Sequence, residues 1–493
     1  MFTAIIVGLM YLVNLISIIS IIFFRRKDMS VTFAWLLVFI FLPLVGFLLY
    51  FFFGSTQKLE IMSKKYRLDK LEQRYDDTLK DAFENVKDDK VGFADPRLNK
   101  YKDMILINIK NGKSIITEDN NVELLINGEE KFSRLFEEIK SAKESINVLY
   151  FIIKSKDEVG KQLIKLLSEK AAEGVEVRLL YDSMGCLKTK LRDFDPIVKN
   201  GGHVEKFLPS MLKTLVEVNY RLHRKMVIID GKICYTGGIN VGDDYLGKYE
   251  HISPWRDTSV RITGTSVKVM QLLFFKDWVF CEKQDKKVEK PMHLNDLREI
   301  EAKYFPEPED TGNMGVQIIE CGPDSKYATH KDSYVKMCTD AKKYLYIQSP
   351  YFVPDQTLLD AIRMSAQSGV DVRIMLPGIP DKKFVYNVAM SYVEELLEAG
   401  VRVYAHKGFI HAKTMVIDDF VASIGTTNLD IRSFKLDYEV NTLVYNEEFA
   451  IKCRDIFIKD IEDSTEFDLE VFKKRGIWRY IMESLCRFVA PLS

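Results

Sequence analysis

The sequence has no surplus of basic residues. Its 70 Lys and Arg face 71 Asp and Glu, a net charge of −1 over 493 residues. That removes the global argument for a nucleic-acid binder, which ordinarily carries a basic excess, and no nucleic-acid partner is expected. Cysteine is scarce as well. The seven cysteines are odd in number and form no C-x-x-C pair, which excludes a disulfide framework and a thiolate zinc site and points to reduced thiols. Histidine and carboxylates nowhere gather at metal-ligand spacing, so no metal and no other cofactor is expected. What remains, 47% hydrophobic and 29% charged, is ordinary globular material with room for two large cores.

Charge is missing altogether from two stretches, Phe2–Phe24 and Val31–Phe53. Each is long enough to cross a hydrocarbon core as a helix. The first lacks a basic leader and is followed at once by the second, which argues against a cleaved signal peptide. The link "RRKDMS" allows only a tight turn, so residues 1–54 read as a two-helix transmembrane hairpin. Six basic residues follow the second stretch (Lys58, Lys64, Lys65, Arg67, Lys70, Arg74) against three in the turn. Basic residues collect on the cytoplasmic side, which puts the remaining chain there, at the cell membrane.

Histidine is rare, with seven in the chain, yet two of them open nearly the same octapeptide: "HRKMVIID" from His223 and "HAKTMVID" from His411. Both fit H-x-K-x-x-x-x-D, giving His223, Lys225, Asp230 and His411, Lys413, Asp418. A given His meets Lys at +2 and Asp at +7 only about once in a hundred tries, so two matches argue against chance. The offset of 188 persists from His411 − His223 to Gly425 − Gly237 and Asn428 − Asn240. "AAEGVEVRLLYD" (171–182) is likewise answered by "AQSGVDVRIMLP" (366–377), a helix end at Gly followed by a buried strand. A repeat of this length is a duplicated domain.

The organisation read from these signals is a juxtamembrane helical segment over 55–110, a first lobe over 111–283, a polar linker over 284–312 and a second lobe over 313–493. Leu68, Leu71, Tyr75, Leu79 and Phe83 recur at helical steps and predict an amphipathic helix packed on the body. Near the end, Trp478, Ile481, Leu485 and Phe488 recur the same way. That C-terminal amphipathic helix fits an interfacial position on anionic lipid and a place in the core equally well.

Histidine and lysine two apart project to one face if the chain is extended. Asp230-Gly231 is a two-residue hairpin signal, which makes the motif aspartate a turn holder at the strand's end. Two copies facing each other across a pseudo-twofold would join two imidazoles, two ammonium groups and two amides, Asn240 and Asn428. Such a set suits a phosphodiester. The lysines and amides hold its oxygens and growing charge, one imidazole attacks phosphorus, and the other moves the protons. The five other histidines (His203, His251, His293, His330, His406) lack this setting and read as structural.

With "IQSPYFVPD", "LPGIPDKKFVYN" and "GTTNLDIRSFKLDYEVN", the paired motifs resemble the phospholipase D superfamily over residues 120–493, and its bacterial cardiolipin synthases in particular. The resemblance implies an α/β fold of two duplicated lobes with central mixed sheets around a pseudo-twofold. It implies a phosphatidyltransferase that condenses two phosphatidylglycerols into cardiolipin plus glycerol, without a metal. By analogy His223 is the nucleophile and His411 the general acid and base. The catalytic set is then His223, Lys225, Asp230, His411, Lys413 and Asp418. An acidic residue about thirty positions after each His would orient it: Asp257 for His223 and Glu439 for His411. Partners are phosphatidylglycerol, other anionic phospholipids and the membrane. Cys186, where the family pattern suggests a smaller polar residue, is a departure that touches nothing catalytic. Two other readings stay open: a phospholipase D that hydrolyses head groups, and an inactive membrane scaffold, against which both motifs stand intact.

Overall fold

The computed structural model describes residues 2–19, 29–42, 46, 50, 69–208, 220–249, 253–282 and 302–490. Its centre is a mixed sheet that runs through both halves of the chain, fifteen strands in one path with the two-residue strand Arg221–Leu222 joined beside it as a sixteenth. From the outer edge of the first half inward, the strands are His203–Phe207, Glu176–Asp182, Ser145–Tyr150, Met226–Ile229, Ile233–Gly237, Thr258–Thr263 and Ile116–Ile126. The second half mirrors that order from the seam outward: Met314–Cys321, Asp437–Tyr445, Val421–Gly425, Thr414–Ile417, Tyr344–Gln348, Asp371–Pro377 and Arg402–His406, with Ser464–Glu466 added at the edge. The seam is an antiparallel pairing of Ile116–Ile126 with Met314–Cys321, Ile116 opposite Gln317. The two mixed sheets expected for the lobes are thus halves of one.

Sequence dictates the layering. "SINVLY" and "YLYIQ" are buried at every position, as strands covered on both faces must be. Each pairs in parallel with the repeated Val-x-Val-Arg strand of its own half. The helix Ser266–Glu282 buries Met270, Leu273, Phe274 and Phe275 in a core that also takes Val316, Val440 and Phe449 from the second half. The halves therefore share a hydrophobic centre and do not merely touch.

Over its described part the helix Asp69–Lys87 bears out the amphipathic reading: Leu79 packs with Leu98, Tyr101 and Ile105 into the core of the second half, with Tyr75 and Phe83 against it, while Leu68 and the Leu71 side chain lie outside the described residues. All seven cysteines are free thiols and buried. Of the two uncharged stretches, helices Phe2–Ile19 and Met29–Phe41 are described, and Ile18 packs on Trp35 and Phe39. Residues 20–28 and most of 43–68, on which the rest of the hairpin reading falls, lie outside the described residues. Among the described residues no helix is long and apolar enough to cross a membrane.

Candidate active site

Each motif histidine lies just outside the sheet, on a link between a two-residue strand and a sheet strand. Those short strands cross between halves. Arg221–Leu222 pairs in parallel with Asp437 and Tyr438, and the His223 N–H then donates to the Tyr438 carbonyl at 2.9 Å. Phe409–Ile410 pairs in parallel with Trp255–Arg256, and the His411 N–H donates to the Arg256 carbonyl at 2.7 Å. The residue after each accepting carbonyl is a carboxylate. Backbone register alone therefore delivers each histidine to an acid of the opposite half.

This corrects the pairing expected from sequence. His223 Nδ1 lies 2.9 Å from both Glu439 oxygens, and His411 Nδ1 lies 2.7 Å from Asp257 Oδ2. Asp257 serves the histidine of the second half and Glu439 that of the first, because the exchanged strands override nearness in sequence. Both acids are fully buried. With Nδ1 engaged, Nε2 is left in each ring for chemistry.

The lysines come with them. Lys225 Nζ donates to the His223 carbonyl and Lys413 Nζ to the His411 carbonyl, so each lysine curls back beside its own histidine. Burial drives Lys225 well below its ordinary value and brings Lys413 down to about 8. Burial, then Lys225 and Lys413, hold His223 well below the ordinary imidazole value. Burial and then Lys413 bring His411 down to about 4, against the pull of Asp257. Each histidine thus feels the lysine of the other motif. Four side chains that resist charge are ones that a bound anion would stabilise, since an opposite charge restores the ammonium state.

The two carboxyls differ. Burial pushes Glu439 up to about 8 against the pull of Lys225. Burial also acts to raise Asp257, but the His411 ring and its hydrogen bond outweigh it and hold the group below the ordinary carboxylate value.

The motif aspartates take no part in this cluster. Asp230 accepts the backbone N–H groups of Lys143, Glu144 and Ser145 at 2.8–3.2 Å. Asp418 does the same for Lys342, Lys343 and Tyr344. Both have positive φ, 53° and 51°, a backbone state that Asp tolerates better than most residues. Each closes a three-residue connection, Ile229 opposite Ile233 and Ile417 opposite Val421, one residue longer than the Asp-Gly signal suggests. Placed among the catalytic residues by motif, they are turn and loop anchors at the far end of the strand, in keeping with the turn-holding role read from the hairpin signal.

Asn240 accepts from the Ile152 N–H and donates to Tyr245 Oη, both at 3.1 Å. Asn428 donates weakly to Ser433 Oγ at 3.4 Å, and its Oδ1 is buried without a hydrogen-bond partner. His330 is structural, bonded to the Ile319 carbonyl and Thr427 Oγ1.

Sequence reasoning missed two arginines that brace the carboxylates. Arg224, inside the first motif, donates through Nε to the Glu439 carbonyl at 3.2 Å and grips both oxygens of Asp277 at 2.7 Å. Arg256 donates to the Asp257 carbonyl and grips Asp460 at 2.9 and 3.0 Å. A signal existed: Asp277 follows Asp257 by 20 residues and Asp460 follows Glu439 by 21. Among the described residues no group of His, Cys, Asp or Glu is arranged to hold a metal.

A duplicated α/β body whose halves each bring one H-x-K-x4-D motif to a common cluster is the arrangement of the phospholipase D superfamily. The fold resembles the crystal structure of a phosphatidylserine synthase from Haemophilus influenzae, with a TM-score of 0.58 at 16% identity over 79% of this chain and all of that one. The family described as "Cardiolipin synthase, PLD-like domain" matches residues 135–268 and 334–461, and an N-terminal family, "Phospholipase_D-nuclease N-terminal", matches 12–55. Relatives include the major cardiolipin synthase ClsA of Bacillus subtilis, 40% identical over 99% of both chains. A cardiolipin synthase of Listeria innocua is 40% identical over 96% of this chain and 95% of its own. One from Staphylococcus aureus is 39% identical over 98% and 95%. The chain belongs to the cardiolipin synthase family, the phosphatidyltransferases of the phospholipase D superfamily.

Proposed function

We propose that the site condenses two phosphatidylglycerols through a phosphatidyl-histidine. The observation that carries this reading is the crossed pair of His–carboxylate contacts, which presents two oriented imidazoles and two lysines to one phosphodiester. His223 Nε2 attacks phosphorus and the bond to the head-group glycerol oxygen breaks, with His411 supplying the proton that leaves on glycerol. His411 then takes the proton from the glycerol hydroxyl of a second phosphatidylglycerol. That oxygen attacks phosphorus, the N–P bond breaks and cardiolipin leaves. Lys225 and Lys413 hold the non-bridging oxygens throughout, with the amides of Asn240 and Asn428 beside them.

One observation favours the reverse division of labour. Burial pushes Glu439 up to about 8, while Asp257 is held below the ordinary carboxylate value, so the His223–Glu439 pair is the better proton holder of the two. In that reading the first pair donates to the leaving glycerol and His411 attacks. Mapping the lipid adduct to one ring decides between them.

The substrates are bilayer lipids in this proposal. The uncharged N-terminal helices then form a membrane hairpin, with the body on the cytoplasmic side. Purified protein given phosphatidylglycerol alone tests the reaction: cardiolipin with equimolar glycerol is expected. Phosphatidic acid as the main product would mean that water is the acceptor.

A further inference from the structure

The last helix, Ile477–Val489, is packed inside out. At 100° per residue Ile477, Trp478, Ile481, Met482, Leu485 and Phe488 fall on one arc of about 140°, and every one of them is exposed, Trp478 by 78% and Phe488 by 68%. The opposite side is the buried one: small Cys486 and Ala490 reach the core of the second half there, and the rest of that side is charged. Glu483 is 2% exposed and accepts from Arg475 Nε and Arg479 Nε, each at 2.9 Å. Arg475 reaches Glu394 at 2.7 Å, and Arg487 lies 4.1 Å above the Tyr392 ring and donates to the Ser391 carbonyl. Ion pairs thus fasten the polar side to the helix Lys383–Glu398, and the apolar side is turned outward. A surface helix of a globular protein does the reverse, and a contiguous apolar face this large marks a contact.

Three features select the occupant. The substrates of the proposed reaction carry acyl chains that do not leave the bilayer. The helix opens with exposed Trp478, next to Lys474 and to Arg479, which stays half-exposed while it pairs with Glu483, an aromatic and basic mix that settles at an anionic membrane surface. The supporting helix Lys383–Glu398 starts next to the active site, where Lys382 acts on the charge of His223 and Asp381 on that of Lys413. We propose that Ile477–Val489 lies in the surface of the bilayer, its apolar face among the acyl chains, and seats the catalytic body on the anionic membrane that holds its substrate. This rests on the reading that the substrate is a bilayer lipid.

The test uses the full chain reconstituted in phosphatidylglycerol-containing vesicles whose acyl chains carry bromine. The chain has four tryptophans, so the difference between wild type and Trp478→Phe isolates Trp478. That component should lose more than half its emission in brominated vesicles; equal emission in brominated and plain vesicles overturns the proposal. A Leu485→Asp/Phe488→Asp variant, altered only on the exposed face, should lose at least ten-fold in rate on vesicles. On a short-chain, monomeric phosphatidylglycerol it should stay within two-fold of wild type. Equal loss on both substrates, with wild type a dimer that the variant dissolves, makes a second copy the occupant and refutes the membrane assignment. Should wild type convert neither substrate, the proposed reaction fails and the bromine result still judges the helix.

Discussion

Replacing Asp257 by Asn tests the crossed pairing most sharply, because the surroundings dictate how the amide must sit. Asp257 Oδ1 accepts the Thr258 backbone N–H at 2.7 Å and Oδ2 faces His411 Nδ1 at 2.7 Å. A backbone N–H can only donate, so the amide oxygen of Asn stays on Thr258 and its NH2 is turned toward His411. Nδ1 must then accept, which moves the ring proton to Nε2 and removes the lone pair that chemistry needs. An isosteric Asp-to-Asn change that traps the wrong tautomer in a serine protease triad lowers kcat by about 10⁴, and a loss of about 10³–10⁴ is expected here. If His411 attacks, the lone pair itself is lost; if it shuttles protons, donation from Nε2 would leave an imidazolate that the Asn amide cannot stabilise, so a loss is expected in both cases. Glu439→Gln is expected to be milder. Thr426 Oγ1, which donates to Glu439 Oε2, is a hydroxyl that can accept instead. The Gln oxygen can therefore stay on His223, and the loss is that of the proton the carboxyl shares with the ring, with one hydrogen bond kept, about 1–2 kcal/mol or roughly ten-fold. Conversion of phosphatidylglycerol in mixed micelles, followed by mass spectrometry of cardiolipin, measures both. An Asp257→Asn enzyme within ten-fold of wild type, or a Glu439→Gln enzyme far weaker than Asp257→Asn, would refute the reasoning.

Both His223→Ala and His411→Ala should abolish turnover. With an activated phosphodiester, the variant that keeps the nucleophile should still form a lipid adduct, and peptide mapping names that ring. The profile of kcat/KM should be bell-shaped. If His411 is the nucleophile, the acid limb lies near 4, where His411 is protonated, and the alkaline limb near 8, where the His223–Glu439 pair loses its shared proton and Lys413 its charge; if His411 is the acid, the rate instead falls as pH rises through its value near 4. Full rate at pH 10 would contradict this. Asp230→Asn and Asp418→Asn should each destabilise the fold by about 1–3 kcal/mol, since an amide cannot satisfy three N–H donors as a carboxylate does. The folded variants should keep kcat within a few-fold, as thermal melts and rates run on the same samples would report. Excess chelator should leave the rate unchanged, because imidazoles and lysines supply the nucleophile and the charge that a metal would otherwise bring.

The repeat of 188 residues carried most of the fold in advance. It placed His223 opposite His411 and the Val-x-Val-Arg strands in equivalent positions, and the structure repeats that symmetry strand by strand. The carboxylates show where such reading stops. Asp257 and Glu439 are visible as residues, but their partners follow from two-residue strands exchanged between halves, and no periodicity marks strands that short. Arg224 and Arg256 were hidden for a related reason: their acids, Asp277 and Asp460, sit on helices whose facing is fixed only by the shared core. The C-terminal helix was legible as amphipathic, but not which side faces the protein, because Glu483 is buried through ion pairs that spacing does not reveal.

The exchanged strands also govern when the enzyme comes into being. His223 waits for an acid 216 residues downstream and Asp257 for a histidine 154 residues downstream. A chain leaving the ribosome beside a membrane full of its own substrate holds neither pair before residue 411 has emerged, and only one of them before residue 439. Unfinished or truncated products should therefore be inert toward lipid. The same interlock ties the reactive centre to completion of the shared core, so local opening of either half disarms it before a stray water can reach a half-assembled nucleophile.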